Sequence, residues 1–181
     1  MVEEVGMPPR GQTHGVASAG ARWLEGDDPV GGRPTIARWP LDVEPDFART
    51  ALRDPWASIV RDSMVAYGEG RTDVAGWGWT PDIVWQIKTN GFAAELCGAQ
   101  EIFGYHRRVE LLTGHTFRQR VVALQGGQSP IVEAFLRSTG RRGSRELDIP
   151  TLVVFELSGS RIHAVTEMPG DPDAWRDFWS E

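Results

Sequence analysis

At 181 residues, 40% of them hydrophobic, the chain is long enough for one domain with a sizeable core and short for two. Its formal charge of -6 excludes the basic surface that non-specific nucleic-acid binding requires. A single cysteine, Cys97, can form no internal disulfide, so a reducing, cytoplasmic setting is expected, and nothing nearby supplies the electropositive surroundings a reactive thiolate needs. No apolar run is long enough to span a bilayer, and Met1-Val2-Glu3-Glu4 lacks the features of a signal peptide.

Residues 1–46 are rich in Gly and Pro and show no sustained apolar period, which predicts an N-terminal extension outside the core, with Trp23 and Trp39 as its aromatic exceptions. Residues 47–181 form the expected domain. Asp54-Pro55 is an N-cap acid followed by Pro at the first helical position. Trp56, Ile59, Val60, Met64 and Tyr67 then recur on one helical face until Gly68 and Gly70 stop it. Tyr67 is either a core-edge tyrosine or a hydroxyl donor lining a pocket. Gly76-Trp77-Gly78-Trp79-Thr80-Pro81 is expected as a loop, followed by a short strand over Asp82–Ile87 that carries Trp85. Aromatics beside glycines can wall a ligand site or simply pack a helix on a sheet.

Gly98 to Leu112 is the second predicted helix, with Ala99, Ile102, Phe103, His106 and Val109 on one stripe and Gly114 closing it. His106 reads as a core histidine or a catalytic auxiliary. Strands are expected over 117–124 and 130–136, flanking Gly126-Gly127. On the second of these Ile131, Glu133 and Phe135 share a face, so Glu133 is either a pocket carboxylate or an acid facing solvent. The cluster Arg137, Arg141, Arg142 and Arg145 reads as a solvated loop. A final strand pair, Thr151–Leu157 and Arg161–Met168, turns at Ser158-Gly159-Ser160. Regular alternation would put Arg161, His163, Val165 and Glu167 on one face. Asp171-Pro172 then opens a short helix whose Trp175, Phe178 and Trp179 must bury against the sheet or a second subunit.

No metal-ligand spacing is visible among His14, His106, His115 and His163, no phosphate-binding glycine loop follows a strand, and there is no Gly-x-Ser-x-Gly elbow. What remains is acid–base chemistry in an apolar cavity. Glu167, near the end of a buried strand, would have its charged form disfavoured by desolvation and its pKa raised into a useful range. His163 or His106 could assist it. The bland alternative is an acid that pairs with an arginine or caps the last helix.

The order helix, short aromatic strand, helix, long strands and aromatic terminal helix resembles the SnoaL-like branch of the nuclear transport factor 2-like superfamily, which includes limonene-epoxide-hydrolase-like enzymes. The resemblance covers about residues 47–181 and rests on Asp82-Ile83-Val84-Trp85, Gly98-Ala99-Gln100-Glu101-Ile102 and Ser160-Arg161-Ile162. It implies an α+β fold: a cone-shaped, curved antiparallel sheet wrapped by helices, the cystatin-like α+β barrel, with a deep apolar pocket and usually a homodimer. It also implies a catalytic carboxylate five residues beyond Ile162, which is Glu167, where the cyclases and epoxide hydrolases carry aspartate. The Arg-x-Asp pair of the epoxide hydrolases is missing from Val132-Glu133-Ala134-Phe135-Leu136, and Trp85 and Ile87 stand where those enzymes place tyrosine and asparagine. The expectation is therefore a polyketide cyclase or isomerase of secondary metabolism, such as antibiotic biosynthesis. It would use Glu167 with His163 and His106, no metal and no cofactor. Tyr67, Trp77, Trp79, Trp85, Phe103, Glu133 and Phe135 would contact an apolar, carbonyl-rich substrate. An epoxide hydrolase or dehydratase, and a non-catalytic binding or dimerisation module, are the alternatives.

Overall fold

The computed structural model describes residues 41–42, 54–68, 71, 78–89, 92–126 and 129–180. Among the described residues, three helices and seven strands make up the α+β fold. The strands are β1 (Leu41–Asp42), β2 (Trp79–Thr89), β3 (Phe92–Cys97), β4 (Arg118–Gly126), β5 (Ile131–Arg142), β6 (Arg145–Ser158) and β7 (Arg161–Pro169). The helices are α1 (Pro55–Gly68), α2 (Gly98–Leu112) and α3 (Pro172–Trp179). One sheet runs in the order β1-β4-β5-β6-β7-β2-β3. Its centre is antiparallel as expected, but β1 pairs with β4 and β2 with β7 in parallel. The sheet is also open rather than closed into a barrel, with β1 and β3 at its edges. Leu41 and Asp42 fall within the expected N-terminal extension, yet they pair with Gln119 and Arg120 of β4. Trp23, Trp39 and Trp77 lie outside the described residues.

The local signals act as their chemistry requires. Asp54 Oδ1 accepts from the backbone N–H of Trp56 at 2.8 Å and of Ala57 at 3.2 Å, which satisfies the first orphan donors of α1. At the end of α2, Gly114 adopts φ 56° and its N–H reaches Leu111 O, while His115 N–H reaches Glu110 O. This pair of bonds satisfies the last carbonyls of the helix. Asp171 Oδ1 accepts from Ala174 N at 2.9 Å and starts α3.

α3 packs on its own sheet. Trp175, Phe178 and Trp179 are buried, with Phe117 and Trp179 ring centroids 5.6 Å apart. A Cβ at Gly140 would lie 3.3 Å from the Phe178 ring tip, so the close approach of helix to strand depends on a residue without a side chain there.

The arginine cluster is not a solvated loop. β5 and β6 run through it and turn at Gly143, φ 61°. Arg137 and Arg141 sit on exposed strand positions and form ion pairs with Asp148 and Glu146. Arg142 instead donates to the carbonyl oxygens of Phe178, Trp179 and Ser180 at 3.2, 2.6 and 2.8 Å, and Arg145 adds a bond to Ser180. A cation thus meets the negative end of α3.

The core lies between the inner sheet face and the helices. On β5, Val132, Ala134, Leu136 and Ser138 point inward. β7 departs from regular alternation: Leu157 pairs with Ile162 and Glu156 with Ala164, so His163 is an extra residue in a bulge. Beyond the bulge Val165 and Glu167 are buried.

Candidate active site

Glu167 reaches the interior because the β7 bulge resets the alternation just before it. It is 2% exposed and directly opposite Val153 on β6. Two donors hold its carboxyl: the Gln119 amide Nε2 at 2.6 Å from Oε1, and the Trp85 indole Nε1 at 3.4 Å from Oε2. Burial pushes its pKa up to about 7, against the opposing pull of these two hydrogen bonds. Both donors are neutral, so desolvation wins. The result is a carboxyl group that exchanges its proton near neutrality.

Tyr67 and His106 form the second part of the site. The Tyr67 hydroxyl and His106 Nδ1 are hydrogen-bonded, and the same nitrogen lies 3.0 Å from the carbonyl of Ile102, one turn back along α2. A carbonyl only accepts, so the tautomer protonated at Nδ1 satisfies both oxygens and makes Tyr67 a donor on its other side. Burial lowers the His106 pKa to about 3, which keeps the ring neutral. Burial, followed by the proximity of Glu167, pushes the hydroxyls of Tyr67 and Tyr105 above the ordinary phenol range.

The aromatic side chains around Tyr67 and His106 form one cluster. Tyr67 and Trp79 centroids are 5.8 Å apart, Trp79 and Phe103 stack at 5.4 Å, and Trp85 meets His106 edge-on at 5.1 Å. The Trp79 indole also donates to Ser63 Oγ at 3.0 Å. A cavity of about 20 Å³ lies among Ser63, Met64, Tyr67, Trp79, Trp85 and Gln119 of this cluster, with Leu136, Val153 and Phe155 closing the rest. Glu167 stands behind Trp85 and Gln119 rather than on the cavity wall.

Several residues expected at the site are placed elsewhere. Glu133 and Phe135 lie on the opposite sheet face from Val132, Ala134 and Leu136, with Phe135 40% exposed, so neither contacts the cavity. His163 leaves the face of Glu167 because the bulge breaks the two-residue period, and its Nδ1 is buried without a hydrogen-bond partner among the described residues. Phe103 packs behind Trp79 and is not part of the cavity wall. Conversely, Gln119, Ser63, Ser138 and Thr151 belong to the site or its support and carry no motif. Their only sequence signal is a polar residue at an inward position of an otherwise apolar alternation.

Glu110 is a second buried acid, one turn beyond His106 on α2 and 4% exposed. Its carboxylate lies 3.7 Å from His115 and 3.9 Å from Arg118, and burial outweighs both in raising its pKa.

No protein-family model matches the chain, and none of the curated proteins does. Comparison with solved structures defines the class: the chain has the nuclear transport factor 2-like fold. A protein from a soil-derived mobile gene cassette superposes with a TM-score of 0.64 at 25% identity, covering 70% of this chain and 97% of the other. TerC, co-crystallised with polyporic acid, gives 0.58 at 13% identity over 69% of this chain and 98% of its own. A protein of Jannaschia named a SnoaL-like polyketide cyclase gives 0.56 at 12% identity, over 73% and 99% of the two chains.

Proposed function

We propose that the chain is an enzyme in which Glu167 transfers a proton on an apolar, carbonyl-bearing molecule of the polyketide type, leading to cyclisation or isomerisation. One observation carries this reading: a fully buried carboxyl, held by two neutral donors, whose pKa lies at about 7. Such a group is poised to take a proton from a carbon beside a carbonyl and return it elsewhere. Tyr67, fixed by His106, would donate to the carbonyl oxygen as it gains charge. The fold it shares with SnoaL-like cyclases and with TerC supports the substrate class. A cavity of about 20 Å³ accepts little more than one water, so in this reading the wall opens on binding. Met64, unbranched and adaptable, is the wall residue best suited to yield.

A panel of apolar diketones and enones incubated in D2O, followed by NMR, tests the reading. The protein should catalyse exchange at carbon, and Glu167→Gln should lower that rate ~100-fold or more. Exchange in the variant within about threefold of the parent would remove Glu167 from the mechanism.

The small cavity favours a second reading, a non-catalytic module. Ordinary ligand sites are ~300 Å³ or larger. The outer sheet face exposes Val122 (61%), Ile131 (44%) and Phe135 (40%), the kind of surface a second copy of the chain could cover. In that case no member of the panel would exchange above buffer, and the protein would be a dimer through this face.

A further inference from the structure

Four polar side chains cross the inner face of four neighbouring strands: Gln119 on β4, Ser138 on β5, Thr151 on β6 and Glu167 on β7. All are buried, Ser138 completely. Gln119 and Ser138 are direct cross-strand partners. The amide Nε2 of Gln119 donates both to Glu167 Oε1 at 2.6 Å and to Ser138 Oγ at 3.3 Å. The Ser138 and Thr151 hydroxyls are 2.7 Å apart, and either can be the donor. Around them the inner face is Val132, Ala134, Leu136, Val153 and Phe155. Polar groups buried in such a layer cost stability unless every one is satisfied, and an apolar pair would fill the Ser138 and Thr151 positions without that demand.

The chemistry of the chain supplies a reason for it. An ionised carboxylate only accepts hydrogen bonds, whereas a carboxylic acid also donates one. A side-chain amide has a donor end and an acceptor end, so one half-turn suits it to either state. Ser138 accepts from the amide nitrogen in one state and donates to the amide oxygen in the other. Thr151 compensates, accepting from Ser138 in the first and donating to it in the second. Both arrangements use the same heavy-atom positions.

We propose that Gln119 is the positioning residue of this site, an amide that turns over as Glu167 gains or loses its proton while the Ser138 and Thr151 hydroxyls reverse behind it. The inference rests on Glu167 being the proton-transferring group. Titratable groups from the elements packed around Glu167 are Tyr67 on α1 and Tyr105, His106 and Glu110 on α2. The two phenols stay protonated and His106 stays neutral, which leaves Glu110 as the acid among them and the Gln119 amide as the nearest adjustable donor.

NMR of the intact chain labelled with ¹³C at glutamate carboxyls and ¹⁵N at glutamine amides reads this out, with Glu167→Gln assigning the carboxyl signal. The Glu167 carboxyl should titrate near 7, and the Gln119 side-chain amide should follow the same midpoint and lose that response in Glu167→Gln. Gln119→Leu removes a donor to the charged form and should raise the Glu167 midpoint by about one unit. Ser138→Ala, which leaves Gln119 in place, should shift it the same way by less and covers the case where Gln119→Leu fails to fold. An elevated Glu167 midpoint with an amide that does not respond, or with no shift in either variant, overturns the role of Gln119 alone. A parent midpoint near the ordinary 4.5 would instead overturn the acid–base reading of Glu167 on which it rests.

Discussion

The two faces of β5 are built from alternate residues of one strand, and they differ in a way that hydrophobicity alone does not describe. Val132, Ala134, Leu136 and Ser138 face the core, while Ile131, Glu133, Phe135 and Arg137 face away. A phenylalanine is on the outside at 40% exposure and a serine is inside at 0%. Side-chain polarity therefore does not decide the faces one residue at a time; the register does. Ser138 is tolerated inside because Gln119 and Thr151 meet its hydroxyl, and Phe135 is tolerated outside because its cross-strand neighbours Ala123 and Leu152 are exposed and half-buried. The most direct way to break the comparison is Leu136→Ala. It opens a hole beside the cavity, and denaturant unfolding should show a loss of about 2–5 kcal/mol. A loss as small as that expected for a surface site would mean that the inner face is not the core.

Glu167 sharpens the same contrast, because it is an acid on the inner face. Its pKa is raised on folding, from 4.5 to about 7, so its contribution to stability is fully present below pH 4.5 and is lost as pH rises through 7. That loss amounts to about 3 kcal/mol by the usual conversion. His106 has the opposite sign. Its pKa falls from 6.5 to about 3, so its contribution is present above 6.5 and is lost as pH falls toward 3. Between 4.5 and 6.5 the two slopes oppose each other, and these two groups together give a plateau. Glu167→Gln should remove the decline on the alkaline side, raising stability at pH 8 by up to about 3 kcal/mol and leaving a curve that only climbs between pH 3 and 6.5. Parallel urea titrations of parent and variant across this range measure it. Curves that superpose at all pH values would show that the carboxyl is not strained by burial.

Much of this was legible in the sequence, and the failures share a cause. Asp54-Pro55, Gly114 and Asp171-Pro172 act within a few residues of themselves, so their roles as helix boundaries could be read from the chain directly. The strand over Phe92–Cys97 carries a weak sequence signal because Phe-Ala-Ala-Glu-Leu-Cys has little β-branched content, although Asn90-Gly91 before it is a hairpin dipeptide. Glu167 is legible in the sequence as a buried acid, whereas grouping His163 with it assumes a regular alternation that the strand does not keep. The bulge that separates them comes from the pairing of β7 with β6 at Glu156/Leu157, across the hairpin, and with β2 at Trp79/Val84, far away in sequence. Gln119, the partner Glu167 does have, stands 48 residues earlier and is brought to it by strand order alone. β5 carries apolar residues on both of its faces, so its pattern does not show which side is inner, and Glu133 and Phe135, expected against substrate, lie on the outer face.

A smaller effect tests how the inner face is covered. Asp54 caps α1, the helix that contributes Val60, Met64 and Tyr67 to the core, and Gly126 of β4 lies so close that a Cβ there would collide with the Asp54 carboxylate. Asp54→Ala should cost ~1 kcal/mol through the lost cap. Gly126→Ala should cost at least as much, because it displaces the same carboxylate from the Trp56 and Ala57 amides. If Gly126→Ala were neutral in thermal unfolding, the cap and the strand end could not be packed as they are.

The outer face offers the smallest effect on stability and the largest on assembly. Phe135 contributes little to a single chain at 40% exposure, so Phe135→Ser should change the unfolding free energy by no more than ~0.5 kcal/mol when measured on dilute monomer. If a second copy covers this face, the same substitution removes the aromatic ring from the contact. The row formed by Phe135, Leu152 and Met168 would then have a polar group at its β5 end. Sedimentation velocity would show the parent as a dimer and the variant shifted to monomer at the same concentration. A parent that is monomeric at high concentration would remove the outer face as an interface, and with it the dimer that the non-catalytic reading calls for, leaving the buried carboxyl of the inner face as the chemically distinctive feature of the molecule.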